Sequence, residues 1–368
     1  MLATIMEMEP SILQKQCSDG TVFRASDSYV RAWMHDALRY SRRKGTRAAH
    51  KLPVDWEDQV EQSFLRKAYI VKEYDVLPEL FVNSDQTQGI YAPGDKLTWA
   101  ETGAKQIDLA GNEEKRAFTI LISISNDGTL LPFQAIYHGL TSKSCPSTTA
   151  PCYDEAIAAG FRFEFSGTKT YWSNQKTMRE FVDNILAPYF ENSKKKLNRP
   201  PEQRCIWQMD VWSVHRSLEF REWMKANHPT IILDYVPGGC TGVAQPCDVG
   251  FQRGFKLSLK RSYHEDLVQE ILDQKKAGAK IITLDTRLPL LRDRSVRWLW
   301  NAYKVLNKKA FIQKVRRTFK DTWSHPSYRL SRLVVFENGT CLGNLSQVMQ
   351  LAKSFVISLE TILHSFER

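Results

Sequence analysis

Three aspartates stand in settings that suit carboxylate chemistry. They are Asp85 in Val82-Asn83-Ser84-Asp85-Gln86-Thr87, Asp210 in Gln208-Met209-Asp210-Val211-Trp212, and Asp248 in Gln245-Pro246-Cys247-Asp248-Val249-Gly250. The first two close apolar, strand-like runs, and the third follows a Gly-rich turn and opens a helix-like stretch. Carboxylates delivered in this way to one end of a sheet can hold two divalent cations, which activate water and stabilise the leaving oxygen of a phosphodiester. Without cations the same charges repel one another. Mg2+, or Mn2+ in its place, suits such a set because it takes carboxylate and water oxygens and leaves room for a substrate phosphate. Each aspartate alone also reads as a cap, a turn former or a surface charge, and Asp248 suits a helix N-terminus on dipole grounds alone. The joint pattern is what points to a site.

The elements that must position them follow from periodicity. Ser26-Asp27-Ser28 is an N-cap for a helix from Tyr29 to Tyr40, a basic stretch runs from Arg39 to Lys51, and Trp56 to Val71 forms a second helix. From Pro78 the pattern turns to strands: Leu80-Phe81-Val82, then Phe118 to Ile124, then a hairpin turn at Asn126-Asp127-Gly128 and a returning strand from Leu131 to Tyr137. Helix resumes from Gln175 to Glu191. Cys205 to Met209 is a strand, Ser217 to Asn227 a helix, and Ile231 to Val236 a strand. A long basic helix begins near Val249 and runs to Lys276. Three antiparallel strands, helix, strand, helix, strand, helix is a ribonuclease-H-like order: an α/β mixed sheet with helices on both faces. Its strand ends bring Asp85 and Asp210 side by side, with Asp248 reaching in from a helix.

The expected organisation is a small helical N-terminal region over residues 1–75, a catalytic domain with basic C-terminal helices over 76–323, and a divergent tail over 324–368. Composition is compatible with this. The 368 residues carry 42% hydrophobic and 25% charged side chains, an ordinary globular balance that excludes wholesale disorder. The net charge of +10 is uneven: residues 253–332 hold 20 Lys and Arg against 7 Asp and Glu. A local basic excess is the footprint of a polyanion partner, although a soluble protein of high pI reads the same way. Seven cysteines with no C-x2-C spacing indicate neither a zinc ribbon nor a disulfide framework. No apolar run reaches membrane-spanning length and residues 1–10 lack signal-peptide character, so no membrane partner is expected and the reading is a soluble intracellular protein.

Several blocks resemble a known family. Asn83-Ser84-Asp85-Gln86-Thr87, Asp210-Val211-Trp212-Ser213-Val214-His215-Arg216-Ser217, and Val236-Pro237-Gly238-Gly239 through Asp248-Val249-Gly250 are similar to the three catalytic blocks of DDE-superfamily endonucleases. The closest likeness is to the pogo/Tigger branch of mariner-like transposases, in its fungal (basidiomycete) form. Lys115 to Thr119, Leu131 to Tyr137 and Tyr171-Trp172-Ser173 share it. The resemblance implies a ribonuclease-H-like fold and metal-dependent DNA strand cleavage and transfer, with Asp85, Asp210 and Asp248 as ligands of two Mg2+ or Mn2+ ions. It implies a DNA partner and hence a nuclear location, and a homodimer is compatible with it. Complete members resemble proteins with centromere-protein-B-like helix-turn-helix units ahead of the catalytic domain, and Tyr29 to Lys51 resembles the last helices of such a unit.

Other residues carry narrower expectations. Gln86, Thr87 and Gln245 are candidate hydrogen-bond partners of the carboxylates. His215 either touches a scissile phosphate or orients a ligand, or is a satisfied structural histidine. Arg42, Arg43, Lys44 and Arg47, together with Lys304, Lys308, Lys309, Arg316 and Arg317, are candidate phosphate contacts. The alternative to an endonuclease is a DNA-binding protein derived from a transposase and working without catalysis.

Overall fold

The computed structural model describes residues 10–38 in part, 52–91, 116–323 apart from 280 and 282, and the short stretches 334–337 and 340–343. The chain divides into two compact units, Met1–Lys51 and Leu52–Arg368. In the first unit a 3-10 turn (Pro10–Gln14) precedes helix α1 (Asp27–Leu38). The expected cap is present: the Tyr29 N–H donates to the Ser26 hydroxyl at 3.2 Å, satisfying one of the orphan donors of the first turn. The cluster Arg42, Arg43, Lys44 and Arg47 lies outside the described residues.

The second unit starts with helix α2 (Trp56–Glu73), which the sequence reading grouped with the N-terminal region. Its apolar stripe explains the difference, because Phe64, Leu65 and Val71 belong to the main core. The sheet follows: β1 (Phe81–Ile90), β2 (Ala117–Ser125), β3 (Gln134–Tyr137), β4 (Arg162–Phe165), β5 (Cys205–Met209) and β6 (Ile231–Tyr235). The spatial order is β4-β3-β2-β1-β5-β6. β1 and β2, and β2 and β3, pair antiparallel, whereas β5 lies parallel to both β1 and β6. The run β3-β2-β1-β5-β6 is the ribonuclease-H-like sheet. β4, parallel to β3, extends one edge and was not expected.

β2 is buried along its whole length, a condition met when helices cover both faces of a sheet. The hairpin leading from it turns at Gly128, whose φ of 92° lies in the left-handed region that glycine adopts without penalty. One helical cover is α3, built of Gln175–Phe181, a π-helical turn Val182–Leu186, and Ala187–Lys196. Asn174 and Thr177 form its capping box, and Met178, Phe181, Val182, Ile185, Leu186 and Phe190 are buried. Helix α4 (Leu218–Asn227) links β5 to β6. A π-helical turn, Cys247–Phe251, then leads into α5 (Gln252–Lys276).

Two more helices complete the described body. They are α6 (Leu288–Leu306) and α7 (Lys309–Trp323), so the basic stretch from Lys304 to Lys320 is split between two helices. Helix α7 covers the turn that carries Asp248: Phe311 meets Phe251 edge-on at 5.3 Å, and Phe319 meets Phe81. Gly250 permits that approach, since a Cβ there would overlap the Cβ, Cγ2 and Oγ1 of Thr318. Gly250→Ala gains about 1 kcal/mol of helix propensity but incurs about 1–3 kcal/mol of overpacking. A net loss of stability in urea unfolding is the expected outcome. In the tail, Val334–Glu337 and Thr340–Gly343 pair as a two-stranded antiparallel ribbon.

Candidate active site

Asp85 was expected to close a strand and instead sits in the middle of β1, facing Ile122 of β2 in register. The reason lies on the other flank. β5 pairs with β1 only from Phe81↔Ile206 to Asn83↔Gln208, so Asp85 is where β1 outruns its parallel neighbour. Asp210 directly follows the last residue of β5, as expected. The two carboxylates therefore meet at the step in the sheet where β5 stops. They line a cavity of about 140 Å3 with Ser84, Gln86, Trp172, Trp212 and His215.

Asp248 comes from the π-helical turn, and Asn83 holds that turn against the sheet. The Asn83 side-chain oxygen accepts the Cys247 N–H at 3.0 Å, while its amide donates to the backbone and side-chain oxygens of Gln208 at 3.3 Å. Cys247 is buried and its thiol donates to the Asn83 carbonyl at 3.5 Å. Behind it the chain of bonds continues: Gln208 donates to Asp234 at 2.9 Å, and Arg66 donates to Asp234 at 2.7 and 3.0 Å. A buried polar relay thus ties β1, β5, β6 and α2 to the turn bearing Asp248.

The electrostatics are those of carboxylates crowded together. Burial pushes Asp85 well above the usual carboxylate range, and the charges of Asp248 and Asp210 push it the same way. A hydrogen bond from Gln252 opposes the shift, while one to Asp248 adds to it. Asp210 is also raised, first by burial and then by Asp248. Asp85 has two donors on it, the Gln86 N–H at 2.9 Å and the Gln252 side-chain amide. Oδ1 of Asp210 is buried and has no partner among the described residues.

Gln252 was not singled out from the sequence. It lies one helical turn past Asp248 with no local signal to mark it, so only the fold brings it to Asp85. Thr87 acts through it, donating to Gln252 Oε1 at 3.4 Å, and Lys256 donates to the same oxygen at 3.0 Å. The other expected partners point elsewhere. The Gln86 side chain bonds Ser173 at 2.8 Å and the Met178 sulfur, because successive side chains alternate across a strand. Gln245 is fully buried and donates to the Ser84 carbonyl at 3.3 Å.

His215 lines the cavity and is buried among Trp207, Trp212 and Phe220. Its Nδ1 meets the Asp210 carbonyl at 3.3 Å; a carbonyl only accepts, so Nδ1 carries the proton and Nε2 offers a lone pair. Burial pushes its pKa down to about 4, against the pull of that carbonyl. The folded state therefore prefers the neutral ring. Its contribution to stability is lost as pH falls from the ordinary value near ~6.5 towards 4. An NMR titration is expected to show this ring neutral at pH 5.5, when exposed histidines are protonated.

Residues 114–325, more than half of the chain, match the family model described as DDE superfamily endonuclease. The chain belongs to this family. The match begins after β1, so Asp210 and Asp248 lie inside it and Asp85 outside. No curated protein matches the chain. Among solved structures it is similar to "Mos1 transposase paired-end complex with left transposon end" (TM-score 0.46, 10% identity, 90% of this chain and 77% of that one). It is also similar to "Crystal structure of the Mos1 Strand Transfer Complex" (0.44, 12%, 91% and 78%). A third is "Structure of Mos1 transposase catalytic domain and Raltegravir with Mn" (0.40, 9%, 78% and 100%). The fold assignment rests on the strand order itself.

Members of the DDE family are expected to bind divalent cations, and the donor chemistry here fits one. All three side chains offer hard oxygen, Oδ1 of Asp210 is unpartnered among the described residues, and burial followed by mutual repulsion raises two of the carboxylates. The ligand geometry is not preformed: among the described residues no group of three or more His, Cys, Asp or Glu is placed to hold a metal ion. Of the candidate phosphate contacts, Lys304, Lys308, Lys309, Arg316 and Arg317 are exposed on or between α6 and α7, and none lines the carboxylate cavity. Lys304 lies over the Trp300 ring at 5.7 Å, and Arg316 donates to the Asp127 carbonyl in the β2–β3 turn. No helix among the described residues is long and apolar enough to cross a membrane.

Proposed function

We propose that this DDE-family chain is a transposase-derived DNA endonuclease of the mariner-like, pogo/Tigger kind, with Asp85, Asp210 and Asp248 holding two Mg2+ or Mn2+ ions. The observation that carries the reading is the placement of Asp85 and Asp210 in one cavity at the step between β1 and β5, with Asp248 beside Asp85, a crowding made costly first by burial and then by mutual repulsion. Such repulsion destabilises the fold unless cations are to be held there. When bound, paired ions activate water and stabilise the leaving oxygen of a phosphodiester. The chain's own residues do the positioning. Asn83 fixes the Asp248 turn, Gln252 orients Asp85, and Trp172 and Trp212 wall the cavity. Lys304, Lys308, Lys309 and Arg317 supply sequence-independent phosphate contacts. DNA is then the partner and the nucleus the place of action.

The second reading, a DNA-binding descendant without catalysis, is favoured by one observation, that among the described residues no group of three or more His, Cys, Asp or Glu is placed to hold a metal ion. Thermal unfolding with Mn2+ separates the two. Asp85 and Asp210 have raised folded pKa values, so their contribution to stability is complete below the ordinary value near ~3.9 and is lost as pH rises through the raised one. Cation binding offsets that loss. Mn2+ at a hundredfold its Kd is therefore expected to add about 2.7 kcal/mol, with a larger gain at pH 8 than at pH 5. A gain independent of pH, or one retained in Asp85→Asn/Asp210→Asn, contradicts the metal site.

A further inference from the structure

A second cavity, of about 260 Å3, opens beside the first and shares Trp172 with it. Its wall holds Arg116, Lys169 and Arg292 together with His138, and no carboxylate among the described residues. Tyr91 forms its buried side, packed on Phe118 at 5.0 Å and beside the charge of Arg292. Arg292 also donates to the His138 carbonyl at 3.3 Å, yet its Nε is buried with no partner among the described residues. Arg116 donates to the Thr286 carbonyl at 2.9 Å, and Lys169 is exposed. The same cavity is lined by Tyr171 and Trp172, with ring centroids 5.3 Å apart and Trp172 50% exposed. A guanidinium held on a carbonyl with one donor unmet, two further cations and an aromatic pair with Trp172 exposed are the components of a nucleotide site: charge for the phosphate, a π-face for the base.

We propose that this cavity binds one nucleotide unit of single-stranded DNA, its phosphate on Arg116, Lys169 and Arg292 and its base against Tyr171 and Trp172. The proposal rests on the reading of this chain as a DNA endonuclease. Tyr91 lies six positions along the chain from Asp85, roughly 20 Å at strand rise, so that end of the cavity holds a strand a few nucleotides from the cut rather than the scissile phosphate. The exposed Trp172 ring can stack only an unpaired base, which favours a single strand over a duplex. An acidic peptide would satisfy the cations but would leave the aromatic pair unused, which favours nucleic acid.

The test uses the full chain in EDTA, so that binding is read without cleavage. Fluorescence anisotropy with a labelled oligothymidylate is measured for wild type, Lys169→Ala, Arg116→Ala and Trp172→Ala. Trp172→Ala is expected to weaken binding on the order of tenfold, and each cation removed to lower the slope of log affinity against log salt by about 0.7. Duplex affinity should hardly change. In wild type, a 5-iododeoxyuridine oligonucleotide should crosslink to the peptide containing Tyr171 and Trp172, a readout independent of any variant's folding. Unchanged single-strand affinity in all three variants, equal losses on duplex, or crosslinks confined to other peptides would overturn the proposal. So would displacement of the oligonucleotide by polyglutamate of matched charge, which would mark an acidic-peptide site. Plasmid nicking distinguishes the two readings: its absence in wild type with oligonucleotide binding intact counts against cleavage, not against this cavity.

Discussion

Asp210→Asn is expected to nick supercoiled plasmid on the order of 10^3-fold more slowly than wild type, while unfolding at a higher temperature in EDTA. The rate loss follows from removing a carboxylate from the proposed metal site, whose charge stabilisation is worth several kcal/mol at about 1.36 kcal/mol per decade. The stability gain follows from geometry. Asp210 is raised by burial and by Asp248, and its Oδ1 has no partner among the described residues. A neutral amide of the same shape removes the buried charge and its repulsion by Asp248. An acid kept for structure would behave in the opposite way, because removing it would break favourable contacts. The combination of lost rate and gained stability therefore separates a functional carboxylate from a structural one, and circular-dichroism melts beside a gel assay read both.

Asp234→Ala is expected to cost about 3–5 kcal/mol in urea unfolding, the range for breaking a buried ion pair by removing one partner. The Asp234 side chain is wholly buried and accepts from Arg66 and Gln208. Lys67 is also buried nearby: desolvation lowers its pKa to about 8, and Asp234 pulls the other way. Losing the carboxylate leaves buried Lys67 in low dielectric, and half-buried Arg66, without that charge. It also frees Gln208, on which the Asn83 amide rests, and hence loosens the contact of Asn83 with Cys247 beside Asp248. Nicking should fall with stability, whereas Asp234→Asn, which keeps an acceptor, should lose less of each. A cost under about 1 kcal/mol for Asp234→Ala would mean that the relay is not under tension.

Much of this was legible in the chain because the relevant signals are local. The alternation from Phe118 to Ile124, the Asn126-Asp127-Gly128 turn and the helical stripe from Met178 to Tyr189 each specify an element without help from distant residues. Their order in turn specifies the sheet. β4 escaped because Arg162-Phe163-Glu164-Phe165 offers only four residues of alternation, and its pairing with β3 is a tertiary event. Asp85 was misplaced within its strand for a similar reason. The polar run Asn83 to Gln88 looks like a strand's end, yet β2 continues to pair with it through Ile90. Within the site, residue type and motif gave the three carboxylates and His215. Asn83, Gln252 and the relay to Arg66 were not readable, since each acts across more than a hundred residues of chain.

The measurement that bears most directly on the account is nicking of supercoiled plasmid by the wild-type chain in Mn2+ or Mg2+ and in EDTA, with Asp85→Asn as control. Nicking that requires the cation and disappears in the control is the predicted result. A folded, plasmid-binding chain that leaves the DNA intact in either metal would contradict the endonuclease reading and leave a DNA-binding protein in its place.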